Sequence, residues 1–154
     1  MTPRTQPSSR RLPHQPLYWI SVAIALLGAT DSLYLLILKW SGAASMCLGS
    51  GGCAAVNASP YSRLGTMPVS LIGLLGYLAI VGVHFLERRQ RFFAENGPLM
   101  IFGMTLTGVI FSAYLTWVEF AIIGSFCPFC VASAILITIN FVIAIIRLAK
   151  QFSS

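Results

Sequence analysis

Charge is what this 154-residue chain has least of: 9% of its residues are Asp, Glu, Lys or Arg, against roughly 25% in soluble globular domains. With 56% hydrophobic residues and a mean hydropathy of +0.81, that shortage excludes both a soluble globular domain and a disordered chain. Acids are scarcer than bases, 4 against 10, for a net charge of +6. Such a balance suits nucleic acid when it gathers on one polar face. Here the basic residues stand between long apolar stretches, so no nucleic-acid partner is expected and membrane topology accounts for them. No internal repeat is evident.

Four apolar stretches make up most of the chain: 17–38, interrupted only by Asp31; 68–86; 99–118; and 127–146. Each has 19 to 22 residues. At about 1.5 Å per residue such helices reach roughly 30 Å, the thickness of a bilayer's hydrocarbon core. The third and fourth carry no charge, and the second has only His84 near its end. The expected fold is an all-α integral membrane protein, a bundle of four transmembrane helices over 17–146 with a long outer loop, 39–67, between the first and second. Residues 1–16, rich in Pro, Arg and Ser, read as a disordered cytoplasmic tail, and 147–154 as a second tail.

Short loops rich in Lys and Arg stay in the cytoplasm. Arg4, Arg10, Arg11, Arg88, Arg89, Arg91, Arg147 and Lys150 fall on one side of this topology, and only Lys39 and Arg63 on the other, 8 against 2. Both termini are therefore expected in the cytoplasm, with the loop 39–67 and the turn 119–126 outside a bacterial-type inner or plasma membrane. The start resembles an export signal around Ser9-Arg10-Arg11-Leu12, but its apolar run is too long and is followed by Lys39-Trp40 rather than a small-residue cleavage site. The first helix reads as a retained span.

No cysteine lies in a predicted cytoplasmic loop. All four, Cys47, Cys53, Cys127 and Cys130, fall in the segments assigned to the outside, where conditions are oxidising. Three chemistries fit: structural disulfides, a zinc site built from four thiolates, and a dithiol relay. Placement favours the relay. Cys127-Pro128-Phe129-Cys130 reads as a helix start, with Cys127 near the N-cap and Pro128 at the first helical position. A thiolate there meets unpaired backbone N–H groups and the positive end of the helix dipole. The segment Cys47-Leu48-Gly49-Ser50-Gly51-Gly52-Cys53 is rich in glycine, as suits a shuttle between an aqueous protein and the membrane-edge pair.

The run Cys53-Ala54-Ala55-Val56-Asn57-Ala58-Ser59-Pro60-Tyr61, then Gly65-Thr66-Met67-Pro68-Val69-Ser70-Leu71-Ile72-Gly73 and Gly76-Tyr77, followed far downstream by Cys127-Pro128-Phe129-Cys130, resembles the vitamin K epoxide reductase family in its bacterial form. The resemblance spans roughly 17–146. It implies four helices around a quinone, ubiquinone or menaquinone, with the long loop folded over the outer end. It implies that Cys130 faces the quinone, Cys127 exchanges with the loop, Cys53 attacks Cys127, and Cys47 exchanges with a DsbA-like thioredoxin-fold partner. Ser59 matches the family's loop Ser or Thr beside the quinone; as part of Ala58-Ser59-Pro60 it also reads as an ordinary turn residue. Val69 and Ala134 stand where the vertebrate enzymes carry the Asn and Tyr that hold vitamin K, which favours a respiratory quinone over epoxide reduction. Many bacterial members add a fifth helix and a thioredoxin-like domain. This chain ends soon after its fourth span, so a separate redox partner is expected.

The implied activity is a membrane thiol:quinone oxidoreductase that reoxidises the partner and supports disulfide formation. The alternatives are a DsbB-type oxidase, in which the Cys-x-x-Cys lies in the first outer loop, and a non-catalytic scaffold with structural disulfides. Among other residues, Asp31 is expected to hydrogen-bond inside the outer part of the bundle, while Glu119 and His84 read as interfacial. Gly108, Ser112 and Thr116 form a small stripe for helix packing. Trp19, Trp40, Trp117, Tyr18 and Tyr61 read as an aromatic belt.

Overall fold

The computed structural model describes residues 15–42 and 52–153, with the side chains of Cys53 and Asn57 excepted. Five α-helices follow one another: α1 Gln15–Ser41, the short α2 Gly52–Ala58, α3 Val69–Arg89, α4 Arg91–Val118 and α5 Pro128–Ser153. All but α2 are long and apolar enough to cross a membrane. Between α2 and α3 lie a 3₁₀ turn, Pro60–Ser62, and a two-stranded hairpin of β1 Arg63–Leu64 and β2 Met67–Pro68, with Gly65 at φ 65° supplying its tight turn. The hairpin is the one departure from an all-α fold among the described residues.

Helices α1, α3, α4 and α5 form the bundle, with α1 against α3 and α5, and α4 against the same two. Small residues explain the close approach of α1. Ser21, Ala25, Gly28, Ala29 and Ser32 are buried along it at helical spacing. A Cβ at Gly28 would overlap the Tyr77 ring. Large apolar side chains instead point outward: Trp19, Leu27, Ile37, Leu75, Ile110 and Phe120 are all about half exposed or more. Such an arrangement is stable where lipid is the solvent and backbone groups are satisfied within each helix.

One end of the bundle gathers the start of α1, the end of α3, the start of α4 and the end of α5. There the chain reverses through Gln90 alone, whose extended backbone breaks the helix while its N–H still donates to Leu86 O. Arg147 Nη2 pairs with Glu87 Oε2 at 3.0 Å, and both side chains are largely buried. Gly97 of α4 leaves the room that Glu87 fills, since a Cβ there would overlap the carboxyl group. His84 Nδ1 lies 2.8 Å from Ile80 O. A carbonyl only accepts, so Nδ1–H donates and Nε2 receives Arg147 Nη1–H at 3.2 Å. His84 is fully buried within the bundle. Tyr18 also leaves the expected aromatic belt: it is buried and donates to His84 O at 2.8 Å, whereas Trp19, Trp40 and Trp117 remain exposed.

The helices outrun the apolar stretches. α4 begins at Arg91, and α5 continues through Ser153, where a tail was expected from residue 147, because Arg147 pairs with α3 and Gln151 Nε2 donates to Glu95 O at 2.7 Å. Higher up, Ser21 Oγ donates to Asn140 Oδ1 at 2.5 Å, tying α1 to α5 through a fully buried amide. At the opposite end, Lys39 Nζ donates to Ser62 Oγ at 2.5 Å and holds the 3₁₀ turn to the end of α1.

The Glu87–Arg147 pair yields a stability prediction. Arg147→Met leaves a buried carboxylate without its partner, at a cost of about 3–5 kcal/mol. Glu87→Gln combined with Arg147→Met should recover more than half of that loss, read as unfolding in mixed detergent micelles. If Arg147→Met cost the same in both backgrounds, the two residues would not be coupled.

Candidate functional site

The site is built around the first turn of α5. Pro128 opens the helix, with Cys127 immediately before it, in the arrangement that the sequence predicts. The first backbone N–H groups of a helix lack partners within it. Here the Cys127 N–H donates to the Glu119 carboxylate. Glu119 is 2% exposed, not interfacial. It is positioned by a π-helical turn, Glu119–Ile123, that continues α4 where a turn was expected from residue 119. The run Glu119-Phe120-Ala121-Ile122-Ile123 contains neither Gly nor Pro, so the helix goes on until Gly124, at φ 64°, ends it. Glu119 O accepts from the N–H groups of Gly124 and Ser125. One residue therefore anchors both ends of the segment that leads into α5.

The two thiols of the Cys-x-x-Cys pair have different surroundings. Cys127 is 1% exposed and packs with Leu35 and Leu38 of α1, Val56 of α2 and Phe129. The Tyr34 ring packs at a tilt against Phe129, with ring centroids 5.0 Å apart, and closes this cluster. Cys130, a free thiol, is half-buried and lines a cavity. Its backbone N–H points to Cys127 Sγ at 3.4 Å.

Helix α2 is the lid over Cys127. Its first residue, Gly52, lies so close to the Phe126 carbonyl that a Cβ at 52 would overlap that backbone. Gly52 precedes Cys53, and Phe126 precedes Cys127, so this close approach brings the two cysteine-bearing backbones side by side. The residue following α2, Ser59, donates through Oγ to Val56 O at 2.8 Å, and its own carbonyl accepts from Ser62 Oγ at 2.8 Å. Ser59 is both the turn residue and part of the cavity wall. Cys47 lies outside the described residues.

The cavity, about 600 Å³, runs from the loop end into the middle of the bundle between α1, α3, α4 and α5. Pockets that take small ligands span roughly 300–1,000 Å³. Apolar side chains such as Ile80, Phe111 and Ile137 make up most of its wall, interrupted by a few hydroxyls. Gly76 of α3 and Thr107 of α4 both line it and are solvent-accessible. The stripe Gly108, Ser112 and Thr116 faces this space rather than only a packed helix. Packing holds at Gly108, where a Cβ would come within 2.8 Å of Ile137 Cγ1.

Asp31 departs from expectation in another way: its Oδ2 is buried and has no hydrogen-bond partner, as does Ser70 Oγ. Two features escaped the sequence reading. Tyr77 Oη donates to Ser133 O at 2.9 Å and lies 3.1 Å from Ser133 Oγ, one turn beyond Cys130 on the cavity side of α5. The sequence marks Glu119 as the only acid between Glu95 and Cys127 but does not show that it is buried against the start of α5.

The profile of the vitamin K epoxide reductase family matches residues 19–145, most of the chain. Members are membrane thiol oxidoreductases, linked in general to quinones and thioredoxin-fold partners. With four apolar helices enclosing the cavity and a Cys-x-x-Cys opening the last of them, this chain belongs to the vitamin K epoxide reductase family and is a membrane oxidoreductase acting on thiols.

Proposed function

We propose that this protein reoxidises a DsbA-like thioredoxin-fold protein and passes two electrons to a membrane quinone, with its termini in the cytoplasm and its cysteines on the outer face. The observation that carries the reading is the divided setting of the Cys-x-x-Cys pair: Cys127 is sealed under α2, while Cys130 lines the apolar cavity. A partner protein has no direct path to Cys127 while α2 is seated. Electrons then enter through the loop, from Cys47 to Cys53 and from Cys53 to Cys127, and Cys130 delivers them to the cavity.

Each protein step is thiol–disulfide exchange, in which the attacking thiolate forms one S–S bond as another breaks. A DsbA-like partner near roughly −120 mV is already a strong oxidant, and at about 1.4 kcal/mol per 30 mV the relay needs an acceptor of still higher potential. The cavity suits a quinone by volume and by its apolar wall with few hydroxyls. A bound quinone would accept two electrons and two protons. Cys130, with Ser59 in the wall at the loop end, would contact it. Glu119 holds the first turn of α5 in place by accepting the Cys127 N–H.

Three outcomes follow from these roles. Cys130→Ala should abolish quinone reduction while Cys53 and Cys127 accumulate as a linked pair, seen by mass spectrometry of the digested protein; normal quinone turnover in that variant would sink the assignment. Gly52→Val, added to Cys130→Ala, pushes α2 off the Phe126 carbonyl. The yield of the Cys53–Cys127 link should then drop about tenfold or more, since small misplacements of reacting groups cost at least that; an unchanged yield would count against the lid. Glu119→Leu strands the Cys127 N–H and should cost about 1–3 kcal/mol of stability, whereas Glu119→Gln keeps an acceptor and should retain most of it. Equal losses in the two variants would refute the capping role.

A further inference from the structure

The end of the bundle opposite Cys127 carries positive charge that no acidic side chain neutralises. The chain has four acids, Asp31, Glu87, Glu95 and Glu119. Glu87 is taken by Arg147, and Glu119 holds the start of α5 at the other end. Arg88 and Arg89, the last two residues of α3, are exposed and form no ion pair among the described residues. Residues 1–14 and 43–51 contain no Asp or Glu that could supply one.

Both guanidinium groups are nevertheless seated on aromatic rings. Tyr18 and Trp19 of α1 meet edge to face, with centroids 5.6 Å apart at 87°. Arg88 Cζ lies over both, 4.7 Å from the Tyr18 centroid and 4.9 Å from that of Trp19. Arg89 Cζ lies 5.2 Å from the Phe85 centroid. The Tyr18 hydroxyl donates to His84 O, which ties the Arg88 seat to the buried polar cluster. A guanidinium resting on a ring spends its face on the π cloud and keeps its in-plane N–H groups for an anion, and that fork of donors matches two oxygens of a phosphate. Between α1 and α3, a groove of about 380 Å³ is lined by these arginines together with Trp19, Phe85, Val22 and Val81. Helix α1 runs inward from residue 15 and α3 runs outward to residue 89, so Val22 and Val81 lie deeper in the bilayer than Trp19 and Arg88. The groove is charged at the membrane edge and apolar toward the middle.

We infer that this groove binds an anionic phospholipid, with its phosphate at Arg88 and Arg89 and an acyl chain along Trp19, Phe85, Val22 and Val81. A soluble phosphate would meet the guanidinium groups and leave the apolar half uncovered. A zwitterionic lipid would cover the apolar half but bring its own cation to the arginines. An anionic lipid satisfies both halves, as basic residues at a membrane surface do elsewhere. The site is remote from the Cys-x-x-Cys pair and does not depend on the quinone reading.

Trp19 serves as the reporter. In the full chain carrying Trp40→Phe and Trp117→Phe, two exposed positions at the other end of the bundle, it is the single tryptophan left of three. The protein is placed in phosphatidylcholine nanodiscs with increasing fractions of phosphatidylglycerol brominated on its acyl chains. Quenching of Trp19, compared with that by brominated phosphatidylcholine, gives the relative affinity of the groove for the two lipids. Phosphatidylglycerol should be preferred about twentyfold, and Arg88→Gln and Arg89→Gln should each lower that preference about fivefold, the scale of one basic residue at an anionic membrane surface. Lys150→Gln removes the same charge near the end of α5, outside the groove, and should leave the preference unchanged. Equal quenching by the two brominated lipids, or as large a loss with Lys150→Gln, would overturn the site in favour of general surface attraction. Full relief of the quenching by millimolar glycerol 3-phosphate would overturn the lipid assignment and leave a site for soluble phosphate. If Arg88→Gln fails to assemble because Tyr18 is disturbed, Arg89→Gln decides the question.

Discussion

The structure depends on how the first turn of α5 is satisfied. A helix that starts inside a bundle, away from bulk water, presents unpaired N–H groups, and each one left unmet costs about 1–3 kcal/mol. Pro128 removes one donor by having none, and the Glu119 carboxylate takes the Cys127 N–H. Because Glu119 belongs to a π-helical continuation of α4, the cap also fixes how α4 and α5 meet. With that turn held, Cys127 is directed to the cluster of Leu35, Leu38 and Val56, and Cys130, three residues on, to the cavity. Helix geometry keeps the two cysteines one turn apart on neighbouring positions of the same face, with Cys130 packed against the Cys127 cluster and also lining the cavity.

The far end of the bundle has a complementary task. Glu87, Arg147, His84 and Tyr18 form a buried polar cluster that joins α3, α5 and α1 below the cavity. Buried charge is tolerated there because each group has a partner, and Gly97 gives the carboxyl group its space. Between the two ends, small residues on α1 let the helices close tightly around Tyr77, while Gly76 and Gly108 on α3 and α4 keep the wall thin beside the cavity. The same residue type does opposite work at different depths: Gly28 is filled by a neighbour's ring and Gly76 is left open.

Long apolar runs and the position of Pro128 made the helices and the start of α5 legible in the sequence, since membrane spans are set by length and hydropathy and a helix start by local chemistry. Burial was less legible. His84 and Glu119 look interfacial because ionisable residues near span ends usually are, and only the tertiary partners Arg147 and the Cys127 N–H explain their burial. Asp31 shows the converse: a lone acid was expected to find a partner within the bundle, and its Oδ2 has none. The Tyr77–Ser133 contact joins residues 56 apart in sequence. No periodicity reveals such a pairing; it exists because Gly28 lets the ring turn inward.

The character of the cavity limits the chemistry it can host. A full charge moved into an apolar space of this kind costs several kcal/mol unless it is paired. Among the described lining residues no Lys or Arg is present to pair one, and the one carboxylic acid, Glu119, is occupied at the head of α5. Two-electron delivery to an acceptor there is therefore favoured when protons accompany the electrons and the product stays neutral. A dithiol is suited to that demand, because closing a disulfide releases two electrons and two protons together. Hydroxyls suit it as well, since Ser and Tyr can exchange donor and acceptor roles as a neighbouring group gains or loses protons. Neutral, reorientable groups around Cys130 are what this coupling requires.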